Sequence, residues 1–205
     1  MEIVKTLKII IRNKWFRFRV HDTDFTIISN NCWGGFIYQI LKLQYSTPTI
    51  GLFMYGSDYV EFCTNIEYYI NKEIEFIEAK NSKYYNEIKN NKKKYYPIGK
   101  IDNIEIHFLH YNSENEAISK WKKRSKRINW DKLIFKLSQR NLCTKDDIEK
   151  FMRLKYKNKI CFTYEENIKN TIYIPKLKNI GTNDETELTL KFFDIVKYIN
   201  KEVNK

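Results

Sequence analysis

Cys32, His110 and Arg140 each follow a short apolar segment that is typical of a buried β-strand. A cysteine with an imidazole nearby is the pair that covalent thiol catalysis requires, because the imidazole favours the reactive thiolate. We therefore predict Cys32 to be a catalytic nucleophile and His110 to be its base. Arg140 is predicted to bind a phosphate or a carboxylate, which its planar guanidinium can hold through two hydrogen bonds.

The turn around Cys32 has the composition of an anion-binding site. It reads Ser29-Asn30-Asn31-Cys32-Trp33-Gly34-Gly35 and leads from the predicted strand into a helix. Backbone N–H groups at the start of a helix can hold an anion or an oxyanion, and the asparagine side chains can add to them. Trp33 would act as a lid or a stacking platform for a sugar. The predicted substrate-binding residues are Asn30, Asn31, Trp33, Gly34, Gly35, Ser138 and Arg140.

Each of these residues also has an explanation that involves no ligand. A lone cysteine after a buried strand is often a small packed side chain, and Trp33 can belong to the core. His110 can cap a strand end, Arg140 can pair with a neighbouring acid, and His107 is expected to be a hydrogen-bonded interior group. A site is favoured because reactive polar groups cluster where apolar strands end, although packing alone does not require them there.

The elements that must position these residues alternate between strands and helices. Strands are predicted at residues 24–29, 49–53, 74–78, 97–101, 104–111, 133–137, 160–163 and 171–174, and helices at 35–41, 58–70, 114–127, 145–154 and 187–203. This alternation predicts an α/β sandwich with a mostly parallel sheet that includes one antiparallel hairpin at Asp102-Asn103. In such sheets ligands bind beyond the carboxyl ends of the strands, where the three reactive residues lie.

The first 22 residues are predicted to form a unit of their own, a basic amphipathic helix over residues 2–19, ahead of a single α/β domain at residues 23–205. Its apolar stripe consists of Val4, Leu7, Ile11, Trp15 and Phe18. The rest of the helix includes six basic residues and a single acid. Such a helix suits the anionic surface of a membrane, and docking on its own domain or on a partner protein is the alternative.

The composition fits one cytoplasmic domain. With 205 residues, of which 42% are hydrophobic, the chain can bury one substantial core. The net charge of +12 invites a nucleic-acid or membrane partner, but Lys, Asn, Ile and Tyr are all frequent, as A/T-rich codons would make them. No nucleic-acid-reading motif, GxGxxG or P-loop is present, so we expect no nucleic-acid partner. The four cysteines lack zinc spacing, so we expect reduced thiols and no metal.

Several segments together resemble the bacterial domain-of-unknown-function family 1919. They are residues 25–35 (FTIISNNCWGG), 46–53 (STPTIGLF), 96–99 (YPIG), 104–111 and 127–131 (RINWD). The resemblance implies a Rossmann-like three-layer sandwich and an association with capsule, exopolysaccharide and lipopolysaccharide gene clusters. Members are described as polysaccharide-biosynthesis proteins or acyltransferases, without an established activity. Gln139 stands where an acidic residue is expected, so that position receives no role.

Together, the residues and the resemblance predict a transferase in bacterial surface polysaccharide biosynthesis, with acyl transfer to a sugar as the reaction. The cofactor is open, an activated donor such as acyl-CoA being compatible with the site, and the substrate is a glycan or a sugar phosphate. The alternative is a non-enzymatic module that binds a sugar phosphate, a nucleotide-sugar or a lipid-linked glycan. Either protein would work in the cytoplasm, with residues 2–19 able to contact the inner face of the membrane.

Overall fold

The computed structural model of the chain describes residues 2–89, 95–181 and 184–203. In these ranges the strands are β1 (Thr26–Ser29), β2 (Glu75–Ile77), β3 (Ile98–Ile101), β4 (Ile104–His107), β5 (Leu133–Ser138), β6 (Lys159–Thr163) and β7 (Ile172–Tyr173). The α-helices are α1 (Glu2–Arg19), α2 (Trp33–Leu41), α3 (Gly56–Thr64), α4 (Ile66–Asn71), α5 (Tyr85–Ile88), α6 (Glu114–Ser125), α7 (Lys145–Arg153), α8 (Glu185–Thr189) and α9 (Ile195–Tyr198). Shorter helical turns lie at Ala79–Asn81, Pro175–Asn179 and Ile199–Val203.

Four parallel strands form the main sheet, in the order β1-β5-β6-β7. Ile27 of β1 pairs with Ile134 of β5, and Leu137 of β5 pairs with Cys161 of β6. All four residues of β1 and five of the six in β5 are buried, as expected of a parallel sheet that is covered on both faces. The predicted α/β class with a parallel sheet is therefore confirmed.

The hairpin at Asp102-Asn103 is present, but it lies outside the main sheet. β3 and β4 pair in antiparallel fashion, with Ile101 opposite Ile104, and β2 joins β3 to form a separate three-stranded sheet. Asp102 has φ 52°, a left-handed conformation that a short polar side chain tolerates in a tight turn. The prediction that this hairpin belongs to the parallel sheet is wrong.

The segment predicted as a strand at residues 49–53 is irregular, because Gly51 at its centre has φ 70°. That strand prediction is wrong. The last residue, Phe53, exchanges two backbone hydrogen bonds of 2.9 Å with His107 of β4. The N–H that follows donates at 3.0 Å to the carbonyl oxygen of Asn30, just beyond β1. The segment therefore ties the end of β4 to the end of β1.

Two apolar clusters lie on the two faces of the main sheet. Neighbouring residues of a strand point to opposite faces, so Ile27 belongs to one cluster and Ile28 to the other. The first cluster includes side chains of α1, α2, α8 and α9. The second includes side chains of α3, α4, α6, α7 and the three-stranded sheet. The core is thus divided by the sheet, and the turn that follows β1 lies where the two halves meet.

Two long helices predicted from the sequence are interrupted. The helix predicted at residues 58–70 begins at Gly56 and breaks at Asn65, whose φ of −142° and ψ of 62° are not helical. The helix predicted at residues 187–203 is divided into α8, α9 and a π-helical turn. Here Asp194 begins a new helix by capping it with its side chain, which periodicity alone does not reveal.

The predicted N-terminal helix is present as α1, and it is attached to the domain by one face. Phe16 is buried in the cluster that includes α2. Arg12 donates hydrogen bonds of 2.6 and 2.8 Å to the Glu187 carboxylate, and Arg19 pairs with Asp194 at 2.9 Å. Across the described residues, no helix combines the length and the apolar character needed to cross a bilayer.

Candidate active site

Cys32 lies just beyond the carboxyl end of β1, at the residue from which α2 begins. Asn31 caps the helix, because its Oδ1 accepts a hydrogen bond of 3.1 Å from the Trp33 N–H. Cys32 itself is half-buried, and its Sγ lies 4.0 Å from the carbonyl oxygen of Leu52. The strand, turn and helix predicted around this cysteine are confirmed.

His110 follows β4 and is exposed. Its N–H donates a hydrogen bond of 2.9 Å to the carbonyl oxygen of Gly51. A Cβ on Gly51 would lie 3.3 Å from the Cβ of His110 and 3.3 Å from the ring of Tyr111, so the two segments approach closely. The φ of 70° also favours glycine at this position. The irregular segment thus holds His110 near the turn after β1, although β4 is not a strand of the main sheet.

Cys32 and His110 line the same open groove, which has a volume of about 280 Å³. We call it the thiol groove; its other lining residues are Gly35, Phe36, Gln39, Tyr45, Ile50, Gly51, Tyr111, Lys120 and Arg124. The structure therefore brings together the two residues predicted as nucleophile and base. Ligand pockets for whole drug-sized molecules range from roughly 300 to 1,000 Å³, so this groove suits the reactive end of a larger substrate.

Two cationic side chains from α6 border the thiol groove. Arg124 Nη1 donates a hydrogen bond of 2.6 Å to the Tyr111 hydroxyl, which itself donates at 2.6 Å to the Ile50 carbonyl oxygen. The guanidinium also lies 5.3 Å from the centre of the Tyr45 ring, and Lys120 Nζ lies 5.5 Å from the Tyr111 ring. Burial raises the pKa of Tyr111, which keeps the hydroxyl protonated as a donor. Lys120 also pairs with Glu116 at 2.5 Å, so the positive charge on this side of the groove comes mainly from Arg124.

The two glycines after Cys32 have different surroundings. A Cβ on Gly34 would lie 3.1 Å from Ile27 Cγ2 and 3.2 Å from Ser29 Cβ, so Gly34 allows α2 to pack directly against β1. Gly35 lines the thiol groove. Among the described residues, no acceptor lies against the N–H of either glycine, as expected at the first turn of a helix. Gly35 lines the groove and Gly34 does not, so the Gly35 N–H is the one that an oxyanion in the groove can approach.

The asparagines and Ser138 belong to a second group of side chains, which is closed to solvent. Lys136 in β5 and Glu185 in α8 are both buried and pair at 2.6 Å. Asn31 Nδ2 donates at 2.9 Å and Ser138 Oγ at 2.6 Å to the same carboxylate. Asn30 Oδ1 accepts a hydrogen bond of 3.1 Å from the Ser138 N–H. Asn30, Asn31 and Ser138 therefore satisfy one another and the ion pair, and they do not line the thiol groove.

Arg140 reaches the same carboxylate from the solvent side. Its Nη1 lies 3.6 Å from Glu185 Oε2 and donates at 3.3 Å to the carbonyl oxygen of Gly181. Burial alone would raise the pKa of Glu185, but the ammonium, hydroxyl and guanidinium around it hold the pKa below its usual range. Arg140 lines a separate open groove of about 330 Å³. The structure does not bring it together with the thiol.

Trp33 is part of the core. Its side chain is 2% exposed, its Nε1 donates a hydrogen bond of 2.8 Å to Thr189 Oγ1, and its ring centre lies 5.7 Å from that of Phe162. The ring is therefore closed to a sugar, and it serves to pack α2 against α8 and β6.

Cys32 differs from the other three cysteines, all of which lie in the described part of the chain. Cys63, Cys143 and Cys161 are buried. Burial raises the pKa of each, that of Cys161 to about 12. Buried thiols of this kind are inert, so Cys32 is the cysteine that a substrate can approach.

Metal ligands do not cluster in this structure. Within the described ranges, no three His, Cys, Asp or Glu side chains lie close enough together to hold a metal ion. Asp22 and Asp24 have the DxD spacing of many metal-dependent sugar transferases, but both are engaged ahead of β1. Asp22 pairs with Lys132 at 2.6 Å, and Asp24 accepts a hydrogen bond of 2.9 Å from Asn129.

Comparison with known proteins assigns the family. A model of the domain of unknown function DUF1919 matches residues 3–201. The chain belongs to this family. It is also similar to an uncharacterized protein of Haemophilus influenzae, with 32% identity over 153 residues that cover 75% of this chain and 68% of the relative. The family predicted from the Cys32 turn is confirmed, and neither description states an activity.

This DUF1919 chain contains functional candidates that its sequence did not single out. Lys136 gives a signal, because a lysine in the middle of an apolar strand needs a buried partner, but its partner in α8 could not be named from spacing. Lys120 and Arg124 lie on the helix predicted at residues 114–127, whose basic C-terminal part suits the helix dipole without a ligand and can also contact phosphate. Only the fold shows that these two cations line the same groove as Cys32.

Proposed function

We propose that this DUF1919 protein is a transferase of bacterial surface polysaccharide biosynthesis. It moves an acyl group from an activated donor, such as acyl-CoA, to a hydroxyl of a sugar. The supporting observation is the thiol groove, which Cys32 and His110 line together with Lys120 and Arg124. The polysaccharide setting rests on the resemblance of the SNNCWGG turn to its family.

In the proposed reaction Cys32 attacks the carbonyl carbon of the donor thioester, and the donor sulfur leaves as a thiol. His110 takes the proton of Cys32 and gives it to the departing thiolate. The sugar hydroxyl then attacks the acylated Cys32, and His110 accepts the hydroxyl proton. That proton returns to the Cys32 sulfur as the ester leaves. Each half-reaction exchanges one bond to the acyl carbon, with no net uptake of protons.

The rest of the groove supplies charge stabilisation in this proposal. In this proposal the N–H of Gly35, which lines the groove at the start of α2, donates to the developing oxyanion, in the manner of an oxyanion hole at a helix N-terminus. Lys120 and Arg124 bind the phosphates of the donor or of a sugar phosphate, which extend beyond the small groove.

We further propose that the reaction takes place in the cytoplasm, at the inner face of the membrane. None of the four cysteines, all of which lie in the described ranges, forms a disulfide, as expected in a compartment that keeps thiols reduced. We also propose a Rossmann-like three-layer sandwich for the domain, supported by the apolar clusters on both faces of its parallel sheet.

The second candidate is a non-enzymatic module that binds a sugar phosphate, a nucleotide-sugar or a lipid-linked glycan. It is favoured by a larger groove of about 720 Å³ between α4 and α6, whose lining includes the exposed Trp130 and the cations Lys72, Lys122 and Lys126. An aromatic face beside cations suits a sugar phosphate, and no cysteine or histidine is among the lining residues of this groove. Tight binding of a sugar phosphate without turnover, unaffected by alkylation of Cys32, would favour this candidate.

The test of the transferase is release of free coenzyme A from acetyl-CoA in the presence of sugar and nucleotide-sugar acceptors. Cys32→Ala and His110→Ala should each reduce the rate by at least ~100-fold, and the melting temperature should stay near that of the parent. His21→Ala removes an exposed histidine elsewhere and serves as the control. Activity that survives Cys32→Ala would exclude covalent catalysis.

A further inference from the structure

The face of α1 that points away from the domain is apolar. Leu7, Ile11, Trp15 and Phe18 are 53%, 65%, 55% and 81% exposed. Their spacing of four, four and three residues places them in one line along the helix. Among the described side chains of α1, those of residues 6–19, Phe16 on the opposite side is the one buried against the domain. The predicted apolar stripe therefore faces solvent from Leu7 to Phe18, and the side chain of Val4 lies outside the described residues.

This orientation is the reverse of what a surface helix ordinarily adopts, because such a helix turns its apolar stripe to the core. The domain instead holds α1 largely through polar contacts, Arg12 with Glu187 and Arg19 with Asp194. Trp15 and Phe18 stack on each other in solvent, with ring centres 6.2 Å apart. An exposed apolar line of this size marks an interaction surface.

The charges around the stripe indicate what covers it. Lys8 and Lys14 are exposed, and the helical periodicity of 100° per residue places them on the two sides of the stripe. A stripe of large apolar and aromatic side chains between lysines is typical of a helix that lies in the interface of an anionic bilayer. The net charge of +12 adds long-range attraction to such a surface.

We propose that α1 docks this chain flat on an anionic phospholipid bilayer. Leu7, Ile11 and Phe18 enter the boundary between headgroups and acyl chains, and Trp15 lies at headgroup depth. Lys8 and Lys14 contact lipid phosphates. The helix lies on the bilayer and does not cross it.

A second copy of the chain fits the stripe less well. The four side chains of the stripe and the neighbouring Ile10 together expose on the order of 500 Å² of apolar surface. A standard protein–protein interface buries roughly 800 Å² on each partner, which is more than this stripe offers. Pairing two stripes would also bring the same lysines of both copies together. A bilayer supplies opposite charge at those positions.

The inference does not depend on the proposed transferase. No residue of α1 is among those that line the thiol groove, and vesicle binding is measured without any substrate. A protein that binds bilayers without acyl transfer would overturn the proposed reaction and leave the docking of α1 intact. Acyl transfer without bilayer binding would overturn the docking of α1, and with it the membrane location proposed above, and leave the reaction intact.

The experiment is flotation of the full chain with two kinds of vesicle, phosphatidylcholine alone and phosphatidylcholine with one third phosphatidylglycerol. We expect the parent to float with the anionic vesicles and the double variant Ile11→Ser/Phe18→Ser to bind them at least about tenfold more weakly. Lys8→Glu/Lys14→Glu should lose the preference for anionic lipid. Leu142→Ser, at a position 54% exposed on the loop before α7, is the matched control and should bind like the parent.

Three results would overturn the inference. The first is absence of the parent from the floating fraction of anionic vesicles. The second is equal binding by the parent and by Ile11→Ser/Phe18→Ser, which would mean that charge alone attracts the protein. The third is a dimer in sedimentation without lipid that this same variant converts to a monomer, which would assign the stripe to a second copy. All of the substituted side chains are exposed, so folding is checked by an unchanged melting temperature.

Discussion

Lys136 Nζ donates a hydrogen bond of 2.6 Å to Glu185 Oε1, and both side chains are buried where β5 meets α8. The same carboxylate also accepts from Asn31 and Ser138. The polar side chains predicted as site residues after β1 and β5 therefore form one network around Glu185, which links the carboxyl ends of the two strands. They are Asn30, Asn31, Ser138 and Arg140. Cys32 remains outside this network and lines the thiol groove.

Replacing Lys136 by Met should destabilise the fold strongly. Removal of the ammonium leaves the Glu185 carboxylate buried and incompletely paired, which typically costs about 3–5 kcal/mol. The free energy of unfolding in urea measures the loss. Lys150→Met, which breaks the exposed ion pair with Asp146 on α7, is the control and should change stability little. Equal stability of the two variants would contradict a network that depends on the buried pair.

His107 should make the protein less stable in mild acid. The imidazole is buried, and its Nε2 has no hydrogen-bond partner among the described residues, the Glu105 carboxylate lying 3.8 Å away. Burial outweighs the attraction of that carboxylate and lowers the pKa of His107 to about 3. The unfolded chain takes up the proton near pH 6.5, whereas the folded chain does so only near pH 3. Stability is therefore present in full above pH ~6.5 and falls by about 1.4 kcal/mol per pH unit as the pH drops towards 3.

The measurement is the pH dependence of urea unfolding for the parent and for His107→Phe. Phe retains the stacking on Phe53, whose ring centre lies 4.6 Å from that of His107, but has no proton to take up. The variant should lose this part of the acid slope. His21→Gln, at an exposed position, should retain it. A slope that is the same in His107→Phe as in the parent would assign acid sensitivity to other groups.

Gly51→Ala should destabilise the protein by roughly 1–2 kcal/mol. The φ of 70° is a left-handed conformation that costs an L residue about this much, and the new Cβ would press on His110 and Tyr111 at 3.3 Å. Gly35→Ala is the matched control for unfolding, since its Cβ would meet Ile50 at an ordinary 3.5 Å. If Gly51→Ala unfolds at the same urea concentration as the parent, the close approach of the two segments is not as described.

The sequence predicts the parts of this fold whose signals are local. The alternation of apolar strands with helices is enough to predict the parallel sheet, and the Asp102-Asn103 turn is enough to predict the hairpin. The strand predicted around Gly51 is absent because this glycine has a positive φ, which the apolar composition of the segment does not reveal. The helix predicted at residues 58–70 is interrupted at Asn65, and the sequence does not show this because the break leaves the apolar periodicity almost unchanged.

The candidate site could be predicted only in part, since its assembly depends on tertiary contacts. The sequence places Cys32 and His110 together on the premise that strand ends converge, yet they share the thiol groove because the segment at residues 49–53 joins the end of β4 to the end of β1. Arg140 was grouped with them on the same reasoning, but it turns towards Glu185. No spacing in the sequence specifies whether a side chain lines the thiol groove or the separate groove beside Arg140.

The proposed acyl-enzyme is tested most directly by intact-mass measurement after the full chain is mixed with acetyl-CoA and no acceptor. We predict one acetyl group per chain, located by peptide mapping on Cys32, absent in Cys32→Ala and formed at least ~100-fold more slowly in His110→Ala. An intact chain that gains no acetyl group, or one acetylated on Cys63, Cys143 or Cys161 instead, would contradict the assignment of Cys32 as the nucleophile.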